Sequence, residues 1–176
     1  MMSSTRAIAC AVVAVPMVAH AGFAPAPLPL YGVTEVDTAS ATAQLVEIDP
    51  LTGGAVPLFT YSVPDGYIGG RLTFHDPSGA LLMLLTSETG GDWRLARLKI
   101  HAQTLTSVPI TGLPANTTNV EGLGFDAATG KILVSSGPSV ATQFISEIAP
   151  NGSVVTTSSV IVGTIDIDNI EYDDFN

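Results

Sequence analysis

Apolar and polar residues alternate along most of this chain, in short runs separated by turn-forming residues. Gln44-Leu45-Val46-Glu47-Ile48, Arg94-Leu95-Ala96-Arg97-Leu98-Lys99-Ile100 and Phe144-Ile145-Ser146-Glu147-Ile148 show the pattern. A period of two puts successive side chains on opposite faces of a strand, so each run predicts a β-strand with one packed face and one more polar face. Turn signals separate the runs. Asp76-Pro77-Ser78-Gly79 and Asp126-Ala127-Ala128-Thr129-Gly130 each start with Asp and end with Gly. Aspartate caps such turns through its side chain, and glycine takes the left-handed conformation where the next strand begins. Asp49-Pro50-Leu51-Thr52-Gly53-Gly54 and Pro150-Asn151-Gly152 follow the third-strand runs. The Asn-Gly pair reads as a two-residue hairpin.

The runs repeat as a set. Gly69 to Asp76, Val120 to Asp126 and Asp168 to Asp173 are short alternating segments ending in an acid, and Leu72, Leu123 and Ile170 lie 51 and 47 residues apart. Phe74, Phe125 and Tyr172 align with them. Apolar second strands follow at Ala80 to Leu85 and Lys131 to Ser135, and Leu28 to Val33 matches them without a preceding strand. In the third strands, Ile48, Ile100 and Ile148 fall 52 and 48 residues apart. Fourth strands are expected at Ala55 to Val63, Leu105 to Leu113 and Ser153 to Val162. Four antiparallel strands recurring every ~50 residues fall in the range of propeller blades. One such sheet cannot bury both of its faces alone, whereas stacked sheets supply each other's core. A β-sandwich is the competing all-β arrangement, although it does not require whole strand quartets to repeat.

Val120-Glu121-Gly122-Leu123-Gly124-Phe125-Asp126-Ala127-Ala128-Thr129-Gly130-Lys131-Ile132-Leu133 resembles the blade opening D-x-x-G-L-x-F-D-x-x-T-G-x-L-Y of secreted bacterial β-propeller repeats. The resemblance covers about Leu28 to Asn176. It implies an all-β fold of β-propeller-type, four-stranded antiparallel blades. The strand order begins at a second strand and stops after a first strand, so joining the ends gives about three blades, where a closed propeller has about four to eight. The expectation is a partial or truncated propeller. Two copies pairing into a six-bladed ring is one alternative. An open arc that self-associates through its blade edges is another. Blades of this type host many activities, so the resemblance speaks to architecture.

Residues 1–21 read as a secretory signal peptide. Arg6 supplies the positive start, Ala7 to Ala19 a short apolar run, and Ala19-His20-Ala21 the small-x-small cleavage pattern. The run is shorter than the about 20 residues that span a bilayer. Residues 22–29 form a flexible leader and residues 30–176 the blades. Export removes Arg6 and Cys10, leaving five basic residues against sixteen acidic ones, a formal charge of 5 − 16 = −11, and no cysteine for a disulfide. Such an acidic surface repels phosphate backbones and anionic membranes, which excludes nucleic acid as a partner and predicts no membrane span after processing. The expected location is extracellular or periplasmic.

Candidate chemistry centres on acids near the start of the innermost strand, at the mouth of the presumed channel. Asp166, Asp168, Glu171, Asp173 and Asp174 put five carboxylates in the last eleven residues. The repeat aligns Gly70, Glu121 and Asp168, with Asn119 and Asp166 two residues earlier. Asn119, Glu121, Asp166 and Asp168 are therefore the candidate ligand-binding residues. Glu121, Asp166 and Asp168 are the candidate metal ligands, since converging carboxylates suit Ca²⁺ with its six to eight oxygens. Calcium-dependent lactonase-type propellers resemble this arrangement, but the first repeat offers Gly70 and Arg71 in place of a ligand and no histidine aligns. The same acids also serve as turn caps and solvated strand ends. No G-x-S-x-G, zinc pattern or phosphate loop is present, and His75 and His101 read as turn residues. Trp93 packs between blades or, if exposed, stacks on a sugar. The expectation is a secreted, non-catalytic propeller that presents a binding or structural surface to a protein or carbohydrate ligand. The alternative is a Ca²⁺-dependent hydrolase.

Overall fold

The computed structural model describes residues 30–75, 79–126, 128–139 and 142–160. The expected signal peptide and leader, the turn expected after Asp76 and the inner strand expected around Ile170 lie outside the described residues. Within them the chain forms β1 (Leu30–Val33), β2 (Thr42–Ile48), β3 (Ala55–Ser62), β4 (Tyr67–His75), β5 (Ala80–Ser87), β6 (Trp93–Lys99), β7 (Thr104–Pro109), β8 (Asn119–Asp126), β9 (Lys131–Ser139), β10 (Thr142–Ile148) and β11 (Val154–Val160), and no helix. No helix among the described residues is long and apolar enough to cross a membrane. The strands make three antiparallel sheets of consecutive members, β1-β2-β3, β4-β5-β6-β7 and β8-β9-β10-β11. A sandwich would instead divide them between two sheets. The fold is all-β, an incomplete set of propeller-like blades.

The ladders show that the repeat holds residue by residue. Leu30 pairs with Ile48, Leu81 with Leu98 and Ile132 with Ile148. Ile48, Leu98 and Ile148 are thus equivalent and 50 residues apart. Ile100, which the apolar pattern puts in that place, lies in the turn after β6 and packs against the edge of the first core cluster. Cross-strand pairing, not residue type, fixes the position. Similarly, Leu72 pairs with Met83 and Leu123 with Val134.

Stacking explains the apolar run in β5. Its odd members Leu81, Met83 and Leu85 join Val33, Ala43, Leu45 and Tyr61 of the first sheet in one core cluster. Its even members Leu82 and Leu84 join Leu123, Ile132 and Val134 of the third sheet in another. Each fully buried leucine contributes roughly 1.5–3 kcal/mol relative to exposure. Trp93 is buried in the second cluster, which makes it a packing residue between blades.

Turn chemistry follows the aspartates. Leu51 N–H and Thr52 Oγ1–H donate to Asp49 at 2.8 and 2.7 Å. Ala128 and Thr129 N–H donate to Asp126 Oδ1 at 2.9 and 3.1 Å. The Asn151-Gly152 turn is longer than the expected two-residue hairpin: Gly152 N–H donates to Ala149 C=O at 2.9 Å, and Ala149 N–H to Ser153 C=O at 2.8 Å. Pro150 has no N–H to close a two-residue hairpin around Asn151-Gly152, and it sits instead at the first central position of the turn from Ala149 to Gly152, where its fixed negative φ excludes type I′; Gly152 takes φ 86°.

That turn also joins two blades. β7 ends at Pro109, short of the expected Leu113, because Thr111 leaves the second sheet and makes a parallel bridge to Ser153. Thr111 N–H donates to Gly152 C=O at 3.0 Å, and Thr111 C=O accepts from Val154 N–H at 2.9 Å.

Candidate functional site

The inner strands β4 and β8 carry the same irregularity. Gly70 and Arg71 together oppose Leu84, and Glu121 and Gly122 together oppose Ser135, a two-for-one bulge in each ladder. Bulges of this kind bend a strand and redirect a side chain. A Cβ at Gly70 would lie 3.0 Å from the Leu84 carbonyl oxygen, a tight contact that glycine avoids. In the second, Gly122 N–H donates to the buried Ser135 Oγ at 2.7 Å. β4 and β8 lie side by side, and Arg71 Nε–H donates across to the Glu121 carbonyl at 2.8 Å. The residue that departs from the acidic pattern in sequence therefore ties the two bulges together.

Asn119 and Glu121 come together at this end of β8. The Asn119 amide Nδ2–H donates to Glu121 Oε1. Both line a pocket of about 130 Å³ completed by Thr118, Ser135, Ser136, Gly137 and Gln143. Thr118 is held by its N–H and Oγ1–H, which donate to Gly137 C=O at 3.1 and 3.3 Å. Ser135, Ser136 and Gln143 are buried. Ser136 Oγ has no hydrogen-bond partner among the described residues. Thr118, Ser135, Ser136 and Gln143 carry no motif in the sequence. The signal that marks them is polar residue type at repeat positions where the second blade is apolar.

Asp166 and Asp168 lie outside the described residues. Among the described residues no three His, Cys, Asp or Glu side chains gather around a common point. The pocket supplies one carboxylate, Glu121, already accepting from Asn119. That donor set by itself does not fit a Ca²⁺ shell of about six to eight oxygens.

Asp37, Asp49 and Asp126 act as turn caps. Each carboxyl is held below the ordinary aspartate value, by the Ser40, Thr52 and Thr129 hydroxyls respectively and then by turn N–H groups. Hydrogen bonds to the charged form favour it. Burial pushes the Tyr61 phenol well above the ordinary tyrosine value. His101 sits exposed in the turn after β6, away from the pocket lining, and His75 ends β4.

Comparison with protein-family models and with curated proteins finds no match for this chain.

Proposed function

We propose that this protein is a secreted β-propeller-type repeat protein that acts by binding a ligand rather than by catalysis, with the pocket beside Asn119 and Glu121 as the contact. The observation that carries the reading is the lining: hydroxyl and amide groups with one titratable side chain, Glu121. General acid–base or nucleophilic chemistry calls for a second group positioned beside the first, while polar groups converging in a concave site suit recognition. The apolar run and cleavage pattern in residues 1–21 support export. Immobilised protein should retain a ligand from glycan and peptide arrays that the Asn119→Ala variant loses. Retention of nothing, or equal retention by both proteins, contradicts the reading. Recovery outside the cytoplasm with Gly22 as the first residue supports export, and an intact Met1 start in the cytoplasm opposes it.

The position of Glu121 in the pocket favours a second reading, a Ca²⁺-dependent hydrolase completed by Asp166 and Asp168. Calorimetric titration with Ca²⁺ tests it. Neither heat nor a shift in melting temperature removes this reading.

A further inference from the structure

The pairing registers set equivalent positions across the three sheets. Leu30, Leu81 and Ile132 are equivalent, and Ile48, Leu98 and Ile148 lie opposite them. One residue further on, Tyr31, Leu82 and Leu133 are equivalent, and Leu45, Leu95 and Ile145 oppose Val33, Leu84 and Ser135. Successive residues of a strand point to opposite faces, so the first two sets mark one face of every sheet and the last two mark the other.

Both seams use these faces in the same order. In the first, Leu45, with Tyr31 against it, meets Leu81 and Leu98; in the second, Leu82 and Leu95 meet Ile132 and Ile148. Each seam lays the face marked by Leu82 and its equivalents on the face marked by Leu81 and its equivalents in the next sheet. The first and third sheets pack on opposite faces of the second, and neither cluster joins them to each other.

One face of each type is left over. Leu30 and Ile48 on the first sheet, and Leu133 and Ile145 on the third, are half-buried and belong to neither cluster. Their equivalents inside the two seams are at most 2% exposed. On the first sheet the left-over face of β1 and β2 carries Leu30, Gly32, Thr42, Gln44, Val46 and Ile48, with no charged side chain. On the third sheet the charged members of the left-over face, Lys131 and Glu147, pair with each other at 3.0 Å. The two faces are the two halves of one seam, and neither brings net charge to oppose their meeting.

β1 also has an open edge. β5 and β9 each pair with an inner strand, β4 or β8, whereas β1 pairs with β2 alone among the described residues. β4 and β8 follow the outer strands β3 and β7 of the preceding sheet. By the same order the inner-strand pattern at Asp168 to Asp173, after β11, belongs to a sheet stacked on the third.

We infer that a second copy of this chain supplies what both openings lack. The third sheet of each copy stacks on the first sheet of the other, and two copies close a ring of six blades. Mating faces of unlike kind give either a closed ring or an open filament. Propellers close at about four to eight blades, so one chain alone has too few and three chains too many. Ser135 and Gln143 lie on the same face as Ile145, so the pocket beside Asn119 and Glu121 then borders the seam between copies.

Sedimentation equilibrium of the purified chain tests this and should give twice the chain mass with nothing larger. Leu133→Lys and Ile48→Lys should each return the monomer mass, because each puts a charge without a partner into both seams. Both lower the net negative charge of the chain, so added repulsion between copies cannot explain the loss. Val56→Lys, at a side chain 63% exposed on the outer strand β3, should remain a dimer. Leu133→Ala and Ile48→Ala bury no charge, so they test the same faces even if a lysine variant fails to fold. Each should weaken dimerisation at least about tenfold, since every substitution occurs once in each seam. A monomer at up to about 100 μM, a series of masses above the dimer, or a dimer disrupted through only one of the two faces overturns the inference.

Discussion

Replacing Gly152 by alanine isolates the seam between the second and third blades. Gly152 has φ 86°, and a Cβ there would sit 2.1 Å from the Pro109 carbonyl oxygen, a backbone atom that cannot swing aside. The left-handed conformation costs a non-glycine residue about 1 kcal/mol. Relieving the clash moves the turn away from Pro109 and breaks the bonds from Thr111 N–H to Gly152 C=O and from Val154 N–H to Thr111 C=O. Each is worth about 1 kcal/mol, so the total is about 3 kcal/mol. Gly130→Ala is the control, because Gly130 has φ 72° with nothing within 4 Å of a built Cβ. It carries the conformational cost of about 1 kcal/mol alone. The change in unfolded-chain entropy is common to both variants and cancels. Urea unfolding with linear extrapolation should therefore separate them by about 2 kcal/mol. If Gly152→Ala costs no more than Gly130→Ala, the blades do not meet at this turn.

Further consequences can be measured on the same purified chain. Leu81→Ala and Leu82→Ala, on opposite faces of β5, should each destabilise by about 2–5 kcal/mol in urea unfolding. Val56→Ala, at a side chain 63% exposed, should stay within about 0.5 kcal/mol; a cheap Leu81→Ala or Leu82→Ala would mean one face of β5 is not packed. Arg71→Ala leaves the Glu121 carbonyl without its donor and should cost about 1–2 kcal/mol, whereas an unchanged midpoint would show that the bond contributes nothing. The Asp37, Asp49 and Asp126 carboxyls are held low in the folded chain, so at acid pH the unfolded state binds more protons. Their stabilisation is present above the unfolded value and is lost as pH falls below about 4. A melting temperature that holds level down to pH 2 would refute this.

The architecture was legible because two physical signals agree along the chain. Alternation marks the strands, and Asp-to-Gly segments such as Asp49 to Gly54 mark the turns; in the structure the aspartate accepts from the turn's own N–H and hydroxyl groups. Register was less legible. Ile100 looks like the partner of Ile48 and Ile148 by residue type, but pairing to β5 sets Leu98 there, since a ladder counts positions and not side chains. The Asn151-Gly152 pair misleads because Pro150 has no N–H to close a hairpin around it, and the turn forms one residue earlier, from Ala149 to Gly152. Of the candidate site, Asn119 and Glu121 were readable as an amide and an acid at the start of an inner strand, and they do meet. Arg71 was readable only as a departure from the acidic pattern, because its partner is a backbone carbonyl on the neighbouring blade. Ser135, Ser136 and Gln143 look like ordinary surface residues until the ladders align them with Leu84, Leu85 and Trp93.

The stacking of ~50-residue blades through both faces of β5 is the claim on which the account of this fold depends. Side-chain NOEs measured on a methyl-labelled sample address it directly. Leu81, Met83 and Leu85 should show NOEs to Val33, Ala43 and Leu45, and Leu82 and Leu84 to Leu123, Ile132 and Val134. NOEs from both sets to the same sheet, or from neither set to the first sheet, would contradict the account.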